Sequence, residues 1–186
     1  MKNLLQLTVA ALLMLSFSGA AAAQASPKAY LESMNSKLDP LVANTQKNKG
    51  KIVKLVNKLM DFEALCRDSL GKHWDERSAA ERTEFSETLH ALIEKNLIQR
   101  LEDTSDHNVT YESEQVNGAS ATVVTLVSKG DGPRAEETEI AYKMLRQGKR
   151  WVVVDMVTDG ISLVGNYRSQ FNKIITEEGW DSLMKK

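Results

Sequence analysis

Cysteine is almost absent from this sequence, in which Cys66 is the only one among 186 residues. A lone cysteine cannot close an internal disulfide, so packing must stabilise the fold. Because Cys66 lies in a helical apolar pattern with Leu65 and Leu70, we interpret it as a small buried hydrophobe and not as a nucleophile. No cysteine follows the apolar N-terminus directly, as a lipid-anchored bacterial lipoprotein would require.

Long hydrophobic runs are missing beyond the N-terminus. Residues 4–17 form an apolar stretch between the positive charge of Lys2 and the small residues 21–23. This order is typical of a secretory signal peptide, and we expect cleavage after Ala23 and export to the bacterial periplasm. No later run reaches the roughly 18 apolar residues of a membrane span. We therefore expect residues 24–186 to form one soluble domain, and the protein to be a monomer.

A large excess of one charge is also missing, since the chain has 24 basic and 25 acidic residues. Loss of Lys2 with the leader leaves a formal charge of −2. A nearly neutral chain lacks the basic footprint of a nucleic-acid-binding protein. The three histidines, at positions 73, 90 and 107, do not have a metal-ligand spacing such as two histidines four apart. We predict neither a metal nor a nucleic-acid partner, and we interpret His73 as a packing or surface group.

Apolar residues recur at helical spacing in the N-terminal half. Ser26 and Pro27 have the residue types of an N-cap and a first helical position, and they predict a first helix whose pattern Pro40 disturbs. The polar stretch 44–50 is typical of a loop. The apolar stripe over residues 52–60 predicts a short second helix.

Two further helices have capping signals. Asp61 can cap a third helix, and Gly71 predicts its end because glycine adopts a positive φ after a last helical turn. Ser78 and Glu81 form a capping box in front of an apolar stripe over residues 85–101. This stripe predicts a long fourth helix of about six turns.

The period of the apolar pattern changes to two after residue 108. The segments that alternate, separated by glycine-containing turns, are 109–116, 119–129, 136–146 and 150–158. Ile140, Tyr142 and Met144 alternate with Glu139 and Lys143, which indicates one covered and one solvated sheet face. Since helices must form the cover, we predict an α+β fold in which a curved antiparallel four-stranded sheet packs against several helices.

The last strand leads into another predicted helix through a glycine turn. Gly160 is expected to adopt a positive φ there, and Ser162 can cap the helix. Residues 163–175 form one apolar stripe before Gly179 ends it. Residues 180–184 indicate a final short amphipathic turn.

The amino-acid sequence of this strand-to-helix segment resembles that of a known protein family. Residues 159–164 read Asp-Gly-Ile-Ser-Leu-Val, and residues 166–171 read Asn-Tyr-Arg-Ser-Gln-Phe. Shorter similarities are Asp61-Phe62, Leu70-Gly71, His73-Trp74, Arg82 with Phe85, and Trp151 with Val154-Asp155. Together they resemble the MlaC or toluene-tolerance family, the periplasmic phospholipid-binding component of a retrograde lipid transport system.

This resemblance implies a fold related to the NTF2-like one, in which sheet and helices enclose an apolar pocket. It implies a glycerophospholipid as cargo, with the acyl chains in the pocket and the headgroup near solvent. It also implies transfer between an outer-membrane lipoprotein complex and an inner-membrane ABC transporter complex, which maintains outer-membrane lipid asymmetry. Neither covalent chemistry nor a cofactor is implied.

Such a cargo determines the type of wall residue. Exposing two chains of about sixteen carbons costs on the order of 25 kcal/mol, at roughly 0.8 kcal/mol per methylene. Polar groups without partners are unfavourable against hydrocarbon, so the wall should be aliphatic, methionine or aromatic. The helical candidates are Phe62, Leu65, Leu89, Ile93, Leu163, Val164, Tyr167 and Phe171. The sheet candidates are Val124, Leu126, Ile140, Tyr142, Met144, Val152, Val154 and Met156.

Each candidate has an alternative role. Any single wall residue could be ordinary core, because such stripes occur in every globular domain. Arg168 is a candidate for the rim of the pocket, where it would meet a phosphate or an acidic partner. Its alternative is a structural ion pair with Asp155 or Asp159.

Two other functions stay open at this point. One is a carrier of a different apolar lipid such as a hopanoid, for which a flat cleft would be expected instead of a forked one. The other is a pocket enzyme on a similar cone-shaped sheet, with Asp155, Asp159 or His73 as acid or base. Such an enzyme would need a buried carboxylate in a small polar cavity.

Overall fold

The computed structural model describes residues 25–102, 107–129 and 136–185. The helices are α1 (Pro27–Val42), α2 (Thr45–Leu59), α3 (Phe62–Leu70), α4 (Ala79–Glu102), α5 (Leu163–Glu178) and α6 (Trp180–Lys185). The strands are β1 (His107–Asn117), β2 (Ser120–Lys129), β3 (Glu136–Gln147), β4 (Arg150–Thr158) and β5 (Ile161–Ser162). None of the helices in these ranges is long and apolar enough to cross a membrane. The expected signal peptide, residues 1–23, lies outside the described residues.

The sheet has the strand order β1-β2-β3-β4-β5, and each strand pairs antiparallel with the next. The α+β class and the antiparallel sheet are confirmed, but the predicted number of four strands is wrong. β5 is a fifth strand of two residues, which pair with Val157 and Thr158 of β4. So short a strand has no apolar alternation to detect. A tight turn makes it possible, since Asp159 and Gly160 both have positive φ, 47° and 80°.

The loop predicted over residues 44–50 is also wrong, because α2 already begins at Thr45. The side chain of Asn44 accepts a hydrogen bond from the Lys47 amide at 3.2 Å and so caps the helix. Most of residues 46–50 are exposed, so this first part of α2 is polar without ceasing to be helical. α1 likewise continues through Pro40 to Val42.

The predicted helix caps are confirmed. Asp61 Oδ1 accepts a hydrogen bond from the Ala64 amide at 3.0 Å at the start of α3. The Ser78 amide donates to Glu81 Oε2 at 2.7 Å, and the Glu81 amide donates back to Ser78 Oγ at 3.3 Å, so the capping box opens α4. Ser162 Oγ accepts a hydrogen bond at 2.8 Å from the amide three residues on, in the first turn of α5.

The core lies where α3 meets the part of the sheet next to the β3–β4 turn. Val123, Met144 and Val153 occupy neighbouring strands there, and each has at most 1% of its surface exposed. Leu65 of α3 is completely buried in the same cluster. Met60 pairs with Val153 as an isolated bridge, which brings the segment before α3 beside β4. The sheet is therefore closely packed at this end.

Candidate functional site

A cavity of about 380 Å³, here called the sheet cavity, lies between the sheet and the helices α1, α2 and α4. Its helical side and the Met60 segment contribute Leu31, Met34, Asn35, Leu38, Leu55, Val56, Leu59, Met60, Leu97, Arg100 and Leu101. Its sheet side contributes His107, Val109, Tyr111, Val127, Thr138, Ile140, Tyr142, Val153, Met156 and Thr158. Most of these side chains are aliphatic, methionine or aromatic, so the cavity is an apolar container.

Strand register determines which side chains line the sheet side. Val127 of β2 is aligned with Val109 of β1 and with Thr138 of β3, and all three line the cavity. Two residues along the strands, Tyr111 and Ile140 line it too. Residues aligned across neighbouring strands, and those two apart on one strand, share a sheet face. One face of the first three strands therefore forms the cavity wall.

A β-bulge in β4 extends this wall. Met144 is aligned with Val153, whereas Tyr142 is aligned with Met156, so Val154 is an extra residue in β4. Val153 and Met156 consequently reach the same face although they are three residues apart. Both line the sheet cavity.

A second cavity of about 380 Å³, here called the junction cavity, lies between α4, the turn from β4 to β5, and the start of α5. Its own residues are Ile93, Asn96, Asp159, Ile161, Ser162, Leu163, Asn166 and Tyr167. The residues that it shares with the sheet cavity are Met60, Leu97, Arg100, Met156 and Thr158. The two cavities therefore adjoin along a common wall. Each volume is within the range of about 300–1,000 Å³ that is typical of small-molecule sites.

The tyrosines that line the cavities are uncharged near neutral pH. Burial raises the pKa of Tyr111 to about 12, and the neighbouring Tyr142 adds to the increase. Burial also raises the pKa of Tyr142. It raises the pKa of Tyr167 as well, although a hydrogen bond with Asn96 and the charge of Arg100 oppose the increase. The phenols thus contribute polar but neutral surface to the walls.

Six of the predicted wall residues line a cavity. Ile140 and Tyr142 line the sheet cavity, and Met156 lines both cavities. Ile93, Leu163 and Tyr167 line the junction cavity. The predicted residues outside both linings are Phe62, Leu65, Leu89, Val124, Leu126, Met144, Val152, Val154, Val164 and Phe171.

Two of these residues lie on the other face of β2. Val124 and Leu126 alternate with the buried Val123 and Thr125 and with the cavity residue Val127. Both alternating sets of β2 contain apolar side chains, so hydrophobicity did not distinguish the two faces. The pairing of β2 with β3 does distinguish them, because Val127 is aligned with the cavity residue Thr138, whereas Val124 is aligned with Ala141, which lines neither cavity.

Other predicted wall residues belong to the packed interior. Five of these residues have at most 6% of their surface exposed, namely Leu65, Leu89, Met144, Val152 and Val164. Phe62 stacks on His90, with ring centroids 3.8 Å apart. Phe171 stacks on Tyr167 at 5.3 Å and meets the edge of Phe85 at 5.5 Å. Phe171 therefore packs against Tyr167, a residue of the junction cavity.

Arg168 lies outside both cavity linings. Its Nε donates a hydrogen bond to the carbonyl oxygen of Asp68 at 2.7 Å, and its alkyl stem lies close to Gly71. The expected ion pair with Asp155 or Asp159 is not among the salt bridges of the described residues. Arg168 thus ties α5 to the C-terminal end of α3.

Several lining residues were not among the sequence candidates. α1 and α2 supply Leu31, Met34, Leu38, Leu55, Val56 and Leu59. Their helical stripes were visible in the sequence, but a stripe does not indicate whether it faces core or open space. The alternation of Val109 with Tyr111 was a usable signal in β1, and Arg100 at the end of the α4 stripe was another.

The groups with chemical potential have structural partners. His73 is buried, its Nδ1 lies 2.9 Å from Glu76 Oε2, and its Nε2 lies 3.1 Å from Asn172 Oδ1. Burial raises the pKa of the Cys66 thiol to about 11. No cluster of three or more potential metal ligands occurs in the described part of the chain.

The two carboxylates near the junction cavity also bond within the protein. Asp155 accepts hydrogen bonds from Ser162 Oγ at 2.7 Å and from the Val164 amide at 3.0 Å. Asp159 accepts one from the Glu139 amide at 3.1 Å. Both hold the corner between β4 and α5 in place.

Comparison with known proteins points to one family. The MlaC protein family matches residues 24–186. The chain is 26% identical over 171 residues to the intermembrane phospholipid transport system binding protein MlaC of Haemophilus influenzae. This alignment covers 82% of this chain and 78% of the relative. The fold of this chain is similar to that of a phospholipid-binding protein from Ralstonia solanacearum, whose structure was solved in complex with a phospholipid. That match has a TM-score of 0.74 at 17% identity and covers 87% of this chain and 94% of the other.

Proposed function

Because the chain belongs to the MlaC protein family, we propose that it is a non-enzymatic carrier of glycerophospholipid. It is exported to the periplasm after removal of residues 1–23 and functions as a monomeric single domain. It exchanges lipid with an outer-membrane lipoprotein complex and an inner-membrane ABC transporter complex. This exchange contributes to outer-membrane lipid asymmetry.

The observation that carries the proposal is the pair of adjoining cavities with largely apolar walls. At roughly 0.8 kcal/mol per methylene, one chain of about sixteen carbons gains on the order of 12 kcal/mol by leaving water. A closely packed core has no room for such a chain. The space beside the core of this protein provides it, and the neutral tyrosines keep the wall compatible with hydrocarbon.

The bonding of the acidic groups favours a carrier over a pocket enzyme. A general acid or base must have access to a substrate proton. Asp155 instead accepts bonds from the N-terminus of α5, and His73 lies outside both cavity linings. Asp159 does line the junction cavity, but it is exposed to solvent and accepts a bond from the Glu139 amide, so it is not the buried carboxylate that such an enzyme would need. The MlaC protein of Haemophilus influenzae belongs to a phospholipid transport system, and the Ralstonia solanacearum protein was solved with a phospholipid bound.

The first experiment identifies the cargo. The protein is purified from a bacterial host under native conditions, denatured, and extracted for lipid analysis by mass spectrometry. We expect glycerophospholipid in a fixed ratio to protein. Absence of lipid, together with no uptake from phospholipid vesicles, would reject the carrier function. An extract dominated by a polycyclic lipid would replace the proposed cargo.

A pair of matched variants tests the location of the cargo. Val127 lines the sheet cavity, whereas Val124 lies on the opposite face of β2 and lines neither cavity. We expect Val127→Asp to lower lipid retention at least about tenfold, because an unpaired charge against hydrocarbon costs several kcal/mol. Val124→Asp should retain lipid at the wild-type level. Circular dichroism checks that both variants are folded, and equal retention would place the cargo outside the sheet cavity.

A further inference from the structure

One positive charge lies at the common wall of the two cavities. Arg100 is the only arginine or lysine among the described residues that line them, and it belongs to both linings. It is in the last turn of α4, at the end of the stripe formed by Ile93 and Leu97. Arg100 is also exposed to solvent. It therefore connects the apolar interior with the outside, as a long side chain can when its stem covers apolar surface and its head stays in water.

The described residues do not include a salt-bridge partner of Arg100. Other arginines have such roles. Arg67, Arg77 and Arg82 pair with carboxylates, and the last two also lie over tryptophan rings. Arg168 donates a hydrogen bond to a main-chain carbonyl. A guanidinium at a cavity mouth has up to five N–H donors in a planar fork. This geometry matches the oxygens of a phosphate group.

Polar groups surround the same place, and one of them is a carboxylate: Asp159 lines the junction cavity, where it accepts a hydrogen bond from the Glu139 amide at 3.1 Å. Asn96 and Asn166 line the junction cavity together with Tyr167, and the Tyr167 hydroxyl has a hydrogen bond with Asn96. His107 lines the sheet cavity, and its Nδ1 is buried without a hydrogen-bond partner among the described residues. The mouth thus has donors and acceptors suited to a phosphate and its ester neighbours.

We propose that Arg100 binds the phosphodiester group of the cargo at the junction of the two cavities. This assignment rests on the carrier function proposed above and gives it a headgroup determinant. The acyl chains then extend from this point into the apolar space, while the substituent of the phosphate faces solvent. Arg168, the candidate that the sequence offered for the rim, is bound to α3 instead.

The test compares two lipids with identical chains. Dioleoyl phosphatidylethanolamine carries the phosphodiester, and dioleoyl glycerol lacks it. Each is offered in vesicles to the lipid-free protein, and the retained lipid is measured per mole of protein. For Arg100→Gln we expect the ratio of retained phospholipid to retained diacylglycerol to fall about tenfold relative to wild type, equal to about 1.4 kcal/mol. Diacylglycerol retention itself should be unchanged.

Arg146→Gln is the matched control. It removes the same charge from an exposed position on β3 that lines neither cavity, and the ratio should stay at the wild-type value. Arg100→Lys keeps the charge but loses the fork, so we expect a ratio between those of wild type and Arg100→Gln. Circular dichroism establishes that the variants are folded.

The outcomes separate this inference from the carrier function. An unchanged ratio in Arg100→Gln, or an equal loss of both lipids, would overturn the role of Arg100 while the protein remains a carrier. Wild-type protein that retains neither lipid would overturn the carrier function itself. Inorganic phosphate provides a further arm: if it binds the lipid-free protein as tightly as the phospholipid and depends on Arg100, the site is one for free phosphate and the assignment to a lipid headgroup is wrong.

Discussion

At the scale of single residues, Cys66 combines a reactive functional group with an unreactive environment. Its side chain is completely buried in α3, and its Sγ lies 3.9 Å from the carbonyl oxygen of Ser86. Burial raises the pKa of the thiol to about 11, because the thiolate would lose its hydration. The only thiol of this sequence is thereby protected from oxidation and disulfide exchange.

Alkylation of Cys66 should consequently report unfolding. At pH 8 a thiol of pKa about 11 is ionised to about one part in a thousand, compared with about a quarter for a free thiol of pKa about 8.5. We expect iodoacetamide to label the native protein at least about a hundredfold more slowly than the protein in urea. Mass spectrometry over time measures both rates, and equal rates would show that the thiol is accessible in the native state.

The raised pKa also sets a direction for stability at high pH. The folded state holds the proton more tightly than the unfolded state, so this contribution to the free energy of unfolding is complete below about pH 8.5. It decreases as the pH rises towards about 11. Labelling of the native protein should accelerate over the same interval, since both the thiolate fraction and the open population increase.

At the scale of secondary structure, α2 contains a glycine that neither its backbone nor its surroundings require. Gly50 lies inside the helix, does not have a positive φ, and has no heavy atom within 4 Å of the position of an added Cβ. We expect Gly50→Ala to raise the free energy of unfolding by about 0.5–1 kcal/mol, because alanine loses less backbone entropy on folding. Urea denaturation of the two proteins measures the difference.

Gly118 is the matched control for this substitution. An added Cβ would also find open space there, but the residue lies in the β1–β2 turn with a φ of +59°. Gly118→Ala should therefore destabilise the protein, since a side chain is strained at positive φ. Opposite signs for the two substitutions are expected. Equal effects would mean that backbone conformation does not decide the outcome.

The elements show what local sequence can and cannot predict. The starts of α3, α4 and α5 were predictable because each depends on a capping side chain and amides within a few residues. The start of α2 was not, because the polar stretch 44–50 has the composition of a loop, whereas residues 45–50 form the largely exposed beginning of the helix. The two residues of β5 are paired by a turn geometry that a periodic pattern does not contain.

The same distinction applies to the cavity. The inward face of β3 was predictable from Ile140 and Tyr142, whose outer neighbours are charged. The inward face of β2 was not, because apolar residues occupy both of its faces and only the pairing with β3 separates them. Whether an inward face meets packed side chains or open space depends on the distance of the covering helices, which no single segment encodes.

At the scale of the whole molecule, packed and open regions lie side by side on one sheet. Core residues such as Met144 and Val123 are at most 1% exposed, whereas Tyr142, aligned with Val123, borders the sheet cavity. The packed part stabilises the fold without the cargo. The open part loses dispersion contacts when it is empty and regains them when a chain fills it.

Bound lipid should therefore raise the stability of the protein as a whole. A ligand that binds only the folded state adds RT ln(1 + [L]/Kd), or about 2.7 kcal/mol at a hundredfold excess over Kd. We expect the thermal midpoint of delipidated protein to rise on reloading with phospholipid, as measured by circular dichroism. Val127→Asp should show a smaller rise than wild type. No rise in wild type would contradict binding in the folded state.

The extra residue in β4 decides which of its side chains face the sheet cavity. Val154 has no partner in β3, and beyond it Met156 is aligned with the cavity residue Tyr142. If β4 alternated without interruption from Val153, Asp155 would be aligned with Tyr142 and its carboxylate would face the sheet cavity. The insertion shifts the strand by half a period, so that a thioether takes that place and the carboxylate points to the start of α5. One extra residue in β4 thus keeps a carboxylate away from the apolar cavity wall.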